Sequence, residues 1–244
     1  MSTPPVFLVE SLPAGGDVVL DGAEGRHAAA VRRLRPGEQV RLSDGAGAVA
    51  DGTVVAAGRD QLVINVRDRV VVEAPRPRLV VVQALPKGDR GELAVELMTE
   101  LGVDEIVPWA ASRSIVQWRG DRADRALARW RSTAREAAKQ SRQAWLPVVA
   151  VPADTAQVAK RLAAADAGLV LHESATVALT SVKLPADGEL VTVVGPEGGL
   201  TGAELATFEQ AGAVAVRLGP AVLRTSTAGA AALAALSVLA GRWA

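Results

Sequence analysis

The 244-residue chain is 49% hydrophobic and 22% charged, enough to bury the core of one large or two medium domains. It has no Cys and only 2 His, which excludes disulfide scaffolds, thiol nucleophiles and Cys/His metal clusters, and no metal is expected. Its 27 basic and 27 acidic residues cancel, so affinity for a polyanion has to come from a local patch.

In chain order, β-prone runs at residues 6–10, 39–42, 48–55 and 61–72 are separated by turn signals such as Asp21-Gly22, Pro36-Gly37, Asp44-Gly45 and Asp51-Gly52. A short helix over residues 24–34 interrupts them and gathers His27, Arg32, Arg33 and Arg35. Strands at this spacing predict a small β-barrel domain over residues 1–74. The stretch Ala74-Pro-Arg-Pro-Arg78 reads as a stiff linker.

From residue 75 to residue 244 the period changes. Apolar strand-like runs now alternate with helical patterns, the signature of parallel βα units and an α/β domain. A strand over 78–84 precedes a helix for which Asp89 and Glu92 form a capping-box pattern, with Leu93, Leu97 and Leu101 on one face and Gly102 at its end. A strand over 104–109 follows. Further helix and strand pairs are expected at 153–165 with 168–172, 190–194 with 201–211, and 214–218 with 225–240. The apolar run 228–240 is 13 residues, short of the ~20 that cross a bilayer, and is read as a buried helix. With no signal-peptide pattern at the N-terminus, a cytoplasmic protein without membrane association is expected.

The positive charge is concentrated between Arg113 and Arg142, where 9 basic residues meet 3 acidic ones. A helix over 119–142 puts Leu127, Trp130, Ala134 and Ala137 on an inward stripe. Arg131, Arg135, Lys139 and Arg142 fall on a second stripe suited to phosphates. Trp130 is expected in the core.

The chemistry is most legible near the C-terminus. The run Glu189-Leu-Val-Thr-Val-Val-Gly-Pro-Glu-Gly-Gly-Leu-Thr201 leads a buried strand through a glycine loop into a helix, with Thr201 and Glu204 as a capping box. Ligands of open α/β sheets bind at that carboxyl edge. The spacing fits neither the P-loop nor the dinucleotide fingerprint. A second strand end, Gly-Pro bend and helix entry recurs in Leu218-Gly-Pro-Ala-Val-Leu-Arg-Thr-Ser-Thr-Ala228, where Ser226 or Thr227 can cap the helix. Arg224 is the only charged residue between Arg217 and Arg242, an unusual place for a guanidinium without a polar or anionic partner.

These residues resemble the RsmE family of 16S ribosomal RNA uridine N3-methyltransferases in the SPOUT superfamily. The matching blocks are Gln83-Ala-Leu-Pro-Lys-Gly-Asp-Arg90, Thr99-Glu-Leu-Gly-Val103, Glu136-Ala-Ala-Lys-Gln-Ser141, Leu171-His-Glu-Ser-Ala-Thr176, Val194-Gly-Pro-Glu-Gly-Gly-Leu200 and the run from Leu218 to Ala228. His27 to Arg33 followed by Pro36-Gly-Glu38 resembles the family's PUA-like RNA-binding module, so the likeness covers nearly the whole chain. Two positions depart from the family pattern: Ser226 stands where Glu is usual, and Ala221 where Arg is frequent.

The resemblance implies a PUA-like β-barrel followed by a SPOUT-type α/β domain with a deep trefoil knot, acting as a homodimer on 16S ribosomal RNA in the small subunit. It implies an S-adenosylmethionine pocket lined by Leu171, His172, Glu173, Val194, Gly195, Pro196, Gly198, Gly199, Leu218, Gly219, Val222, Leu223 and Ser226. Arg224 is the candidate for stabilising charge that develops on the uracil, and Glu197 the candidate for orienting the base or taking its proton. Candidate RNA contacts are His27, Arg32, Arg33, Arg35, Lys87, Arg113, Arg131, Arg135 and Arg142. Two other readings stay open: a SPOUT enzyme acting on ribose 2′-O or another base nitrogen, and a non-catalytic ribosomal RNA-binding assembly module.

Overall fold

A computed structural model describes residues 3–243 and divides into two compact units. The first comprises the chain up to Ala74 together with Ala138–Leu146; the second comprises Pro75–Ala137 and the residues from Pro147 onward.

In the first unit, strands β1 (Val6–Leu8), β2 (Gly16–Leu20), β3 (Gln39–Ser43), β4 (Ala48–Ala57) and β5 (Leu62–Val71) form one sheet in the order β1-β3-β4-β5-β2. All pairs are antiparallel except β1 with β3. The expected barrel is, in its hydrogen bonding, an open ladder with β1 and β2 at its edges. Alternate residues Val40 and Leu42, Ala48 and Ala50, and Leu62 and Ile64 point into a common core with Phe7 and Leu20, as period-two strands require. β2 is absent from the sequence reading, yet Val18 and Leu20 complete the same core. The predicted helix over 24–34 is a short α-helix, α1 (Gly22–Arg26), continued by a π-helical stretch (His27–Val31). The Ala138–Leu146 segment adds two bonds: the half-buried Lys139 Nζ lies 3.0 Å from Glu24 Oε1, and Trp145 Nε1 donates to the Val72 carbonyl at 3.0 Å.

The second unit is a seven-stranded sheet built from β6 (Arg78–Ala84), β7 (Glu105–Trp109), β8 (Val148–Val149), β9 (Ala167–Leu171), β10 (Val177–Ala178), β11 (Glu189–Val194) and β12 (Val214–Arg217). The order is β10-β12-β9-β11-β6-β7-β8 and every pair is parallel. The helices are α2 (Arg90–Glu100), α3 (Asp121–Gln140), α4 (Thr155–Ala164), α5 (Gly202–Gln210) and α6 (Thr225–Leu239). Leu79 and Val81 of β6 join the core beneath α2, α3 and α6, while Val80 and Val82 join the opposite core with Val158 and Leu162 of α4 and Phe208 of α5. A strand covered on both faces explains the unbroken apolar run Leu-Val-Val-Val. Among the described residues, no helix is long and apolar enough to cross a membrane.

Two local expectations are corrected, and the structure adds which face of α2 is buried. Asp89 stands at the N-cap of α2 with φ −80° and ψ 1°, not the extended backbone a side-chain cap needs, and makes no cap bond; the Glu92 carboxylate accepts from Arg129 Nε at 3.0 Å. The buried face of α2 is Gly91, Ala94, Val95 and Met98, whereas Leu93 is 43% exposed. Neither Ser226 nor Thr227 caps α6; Arg224 occupies the N-cap position, and no side-chain cap bond forms there. By contrast, the Thr201/Glu204 capping box forms at both of its bonds, and Leu127, Trp130, Ala134 and Ala137 are buried along α3 as expected.

Candidate active site

At the carboxyl ends of β9, β11 and β12 the second unit holds a cavity of about 440 Å³, inside the ~300–1,000 Å³ range of small-molecule sites. The two Gly-Pro bends, separate in sequence, are both walls of it. Twelve of the thirteen residues expected to bind the cofactor line the cavity, as do Arg224 and Glu197. Ser226 does not: it is 3% exposed within the first turn of α6, and Thr225 lines the wall in its place. A helix turns its side chains about 100° per residue, so successive residues cannot share one direction.

Each wall is fixed by a local interaction. The Gly195–Leu200 loop precedes α5, where Glu204 accepts from the Thr201 N–H and hydroxyl, both at 2.8 Å, and from the Ser112 N–H at 2.8 Å. Burial raises the Glu204 pKa, but the Ser112 and Thr201 donors more than offset it and hold the carboxyl below its usual range. Arg113, considered above as an RNA contact, lines the cavity and donates to the Gly198 carbonyl at 3.1 Å. Glu197 Oε1 accepts from the Lys87 backbone N–H at 3.0 Å, which ties the loop after β6 to the glycine loop. His172 Nδ1 accepts from the Ser174 N–H at 3.2 Å.

Apolar side chains of Leu171, Val194, Leu218 and Leu223 and the glycine backbone suit an adenine ring and its edge. The carboxylates of Glu173 and Glu197 suit the ammonium and sulfonium of an adenosylmethionine. Val222 is 79% and Leu223 40% exposed on the second bend, apolar surface that a bound ligand would cover. Arg224 is exposed at the rim. Arg90, at the start of α2, also lines the cavity; the sequence reading missed it, since only its neighbour Lys87 stood out in that block.

The remaining candidates lie elsewhere. His27, Arg32, Arg33 and Arg35 are exposed in the first unit, with the His27 ring 6.1 Å from that of Phe7. Lys87 is exposed and does not line the cavity. Arg131 and Arg135 are exposed on α3, Arg131 Nε donating to the Val149 carbonyl at 3.1 Å, and Arg142 is exposed in the first unit. Lys139 of the same stripe is committed to Glu24.

A family model described as an RNA methyltransferase domain matches residues 72–237, and one described as an RNA methyltransferase PUA domain matches residues 20–67. The chain is 51% identical to ribosomal RNA small subunit methyltransferase E of Mycobacterium tuberculosis, over 98% of this chain and 93% of that one. It is 32% identical to the Bacillus subtilis protein of the same name, over 89% and 88%. A crystal structure of ribosomal RNA small subunit methyltransferase E from Neisseria gonorrhoeae bound to S-adenosyl methionine superposes with a TM-score of 0.87 at 30% identity, covering 97% of this chain and 98% of that one. With relatives of one name along its whole length and both family domains in sequence order, this chain belongs to the ribosomal RNA small subunit methyltransferase E family, as an RNA methyltransferase with a PUA domain.

Proposed function

We propose that this protein transfers the methyl group of S-adenosylmethionine to N3 of a uridine in 16S ribosomal RNA. The observation that carries the reading is the meeting of the two Gly-Pro bends around one cavity with Arg224 at its rim. The names of the relatives and the adenosylmethionine bound to the gonococcal protein support it.

The cofactor supplies an electrophilic methyl and its own leaving group, so the protein's work is positioning and electrostatics. Leu171, His172 and Glu173, the Val194-Gly-Pro loop with Gly198 and Gly199, and the bend at Leu218, Gly219, Val222 and Leu223 would hold it. Arg224 stabilises the negative charge that spreads to O2 and O4 as N3 loses its proton. Glu197 orients the base or accepts that proton. Ser226, buried beside the wall, does not supply a carboxylate, so the base comes from elsewhere in the site.

The N3 edge of uridine normally pairs, so the RNA must be held with that base exposed. His27, Arg32, Arg33 and Arg35 on the PUA-like unit, and Lys87, Arg131, Arg135 and Arg142, are the proposed RNA contacts, with Arg113 shared between RNA and the glycine loop. We take residues 1–74 as the PUA-like RNA-binding domain and 75–244 as the methyltransferase domain. The C-terminal segment is read as a trefoil knot, as the family resemblance implies. A homodimer working on the small subunit in the cytoplasm completes the reading, and exposed Val238, Leu239 and Trp243 at the end of α6 offer an apolar face for it.

Nucleoside mass analysis of 16S ribosomal RNA from cells with and without the gene tests the proposal. Loss of one 3-methyluridine is the expected result. Its persistence, or loss of a 2′-O-methyl nucleoside instead, overturns it.

A further inference from the structure

A glutamine at the end of β6 is out of keeping with its strand. Gln83 follows Leu79-Val-Val-Val82 and is 0% exposed. A buried primary amide is costly unless its donors are used. Both are, while its Oε1 is buried without a partner among the described residues: Nε2 donates to the Ala84 carbonyl at 3.0 Å and to Thr225 Oγ1 at 3.3 Å. The Thr225 hydroxyl in turn donates to the Gly195 carbonyl. The order of donors is fixed, since a hydroxyl has one proton and spends it on Gly195. Register supports the arrangement, because Gln83 pairs with Val194, the residue before Gly195.

This short chain of bonds joins β6 to two of the backbone segments that wall the cavity. Gln83 is the penultimate residue of β6, Gly195 opens the glycine loop after β11, and Thr225 begins α6 directly after Arg224. Arg224 itself has extended backbone (φ −66°, ψ 150°) and no side-chain cap, so the Thr225 bond anchors the helix start. The site leaves no slack. A Cβ on Gly229, one turn along α6, would stand 2.7 Å from Met98 Sδ and 3.5 Å from Gln83 Oε1.

We infer that Gln83 and Thr225 are positioning residues: the bonds from Gln83 to Thr225 and from Thr225 to the Gly195 carbonyl fix the start of α6, and with it Arg224, against the glycine loop. The inference rests on the proposed role of Arg224. Such a contact, shielded from water, holds a geometry that a solvent-exposed bond would not.

The test uses the full chain with Thr225→Val, Thr225→Ser and Gln83→Leu. Methyl transfer to 16S ribosomal RNA, cofactor affinity by calorimetry and thermal stability are measured on each. Thr225→Val keeps the branched shape and loses the donor; turnover should fall on the order of 10- to 100-fold with KM for RNA unchanged. Thr225→Ser restores the donor and most of the rate. In an Arg224→Ala background, Thr225→Val should lower residual turnover no further, since a residue acting through Arg224 has nothing left to position. Losses that multiply independently, or wild-type turnover in Thr225→Val, overturn the assignment. A wild-type chain that binds adenosylmethionine but methylates no 16S ribosomal RNA overturns the reading of the site and this inference with it. Amide exchange at residues 225–228 gives a readout independent of turnover: faster exchange in Thr225→Val is expected, and unchanged exchange counts against the anchor.

Discussion

Arg113 braces Gly198 at the wall of the cavity: its guanidinium reaches the Gly198 carbonyl at 3.1 Å, and its Cβ lies 3.1 Å from where a Cβ on Gly198 would project. A methyl at residue 198 therefore pushes on the Arg113 stem, and the loop must shift by a few tenths of an ångström. Gly198→Ala and Arg113→Ala should each weaken adenosylmethionine binding, since both loosen the loop, by roughly 3- to 10-fold for loss of a partly exposed charge-assisted bond. Calorimetry with the free cofactor checks this in the absence of RNA. Unchanged affinity in Arg113→Ala would return Arg113 to RNA contact alone.

Arg224 and Glu197 can be separated by their chemistry. Arg224→Ala should lower turnover on the order of 10²- to 10³-fold, leaving a measurable residual rate, and keep cofactor affinity within a few-fold, because the side chain sits exposed at the rim. Glu197→Gln keeps an oxygen for the Lys87 N–H and removes only the charge. If Glu197 takes the N3 proton, that variant loses ~100-fold or more in turnover. A wild-type rate would leave Glu197 as a loop anchor. Single-turnover rates with saturating cofactor decide between these outcomes.

Much of this site was legible because its signals are local. The Thr201/Glu204 capping box lies within four residues, and the alternation of β6 between two cores reads directly as an unbroken apolar run. What escaped depends on partners distant in sequence. Asp89 and Glu92 have capping-box spacing, but Arg129 of α3 takes the Glu92 carboxylate. Leu93, Leu97 and Leu101 have helical spacing, yet α2 turns Gly91 inward because the Trp130 indole needs the room. Arg90 and Thr225 carry no pattern of their own; only the folding of β6, β11 and α6 onto one edge brings them to the cavity.

At the opposite, amino edge of the second sheet, Arg78 and Arg161 each bridge Glu105 and Glu189 at 2.6–2.9 Å. Burial raises the Glu189 pKa, but the Arg161 and Arg78 bonds outweigh it and the carboxyl lies below its ordinary value of 4.5. A depressed carboxylate contributes stability that is present above that ordinary value and is lost as pH falls through the folded-state value. The difference in melting temperature between wild type and Glu189→Gln should therefore be largest near neutrality and shrink below about pH 4.5. Melting curves from pH 3 to pH 8 measure it. An equal difference at both ends would assign the effect to packing.

The contact of Gly91 with Trp130 sets two known effects against each other. Alanine is a better helix former than glycine by about 1 kcal/mol in a helix interior, which is an upper bound at Gly91, the second residue of α2. Here a Cβ at residue 91 would meet Trp130 Nε1 at 2.8 Å, and that indole is 2% exposed and packed edge-on against Trp118 at 5.0 Å. Overpacking against a rigid ring costs about 1–3 kcal/mol, so the clash should win and Gly91→Ala should destabilise the unit. In a Trp130→Phe background the smaller ring removes the obstacle, and the same Gly91→Ala change should become neutral or stabilising by up to about 1 kcal/mol. Urea denaturation of the four chains in this cycle measures both terms. If Gly91→Ala destabilises equally in both backgrounds, the cost lies in the backbone of α2 and not in the indole.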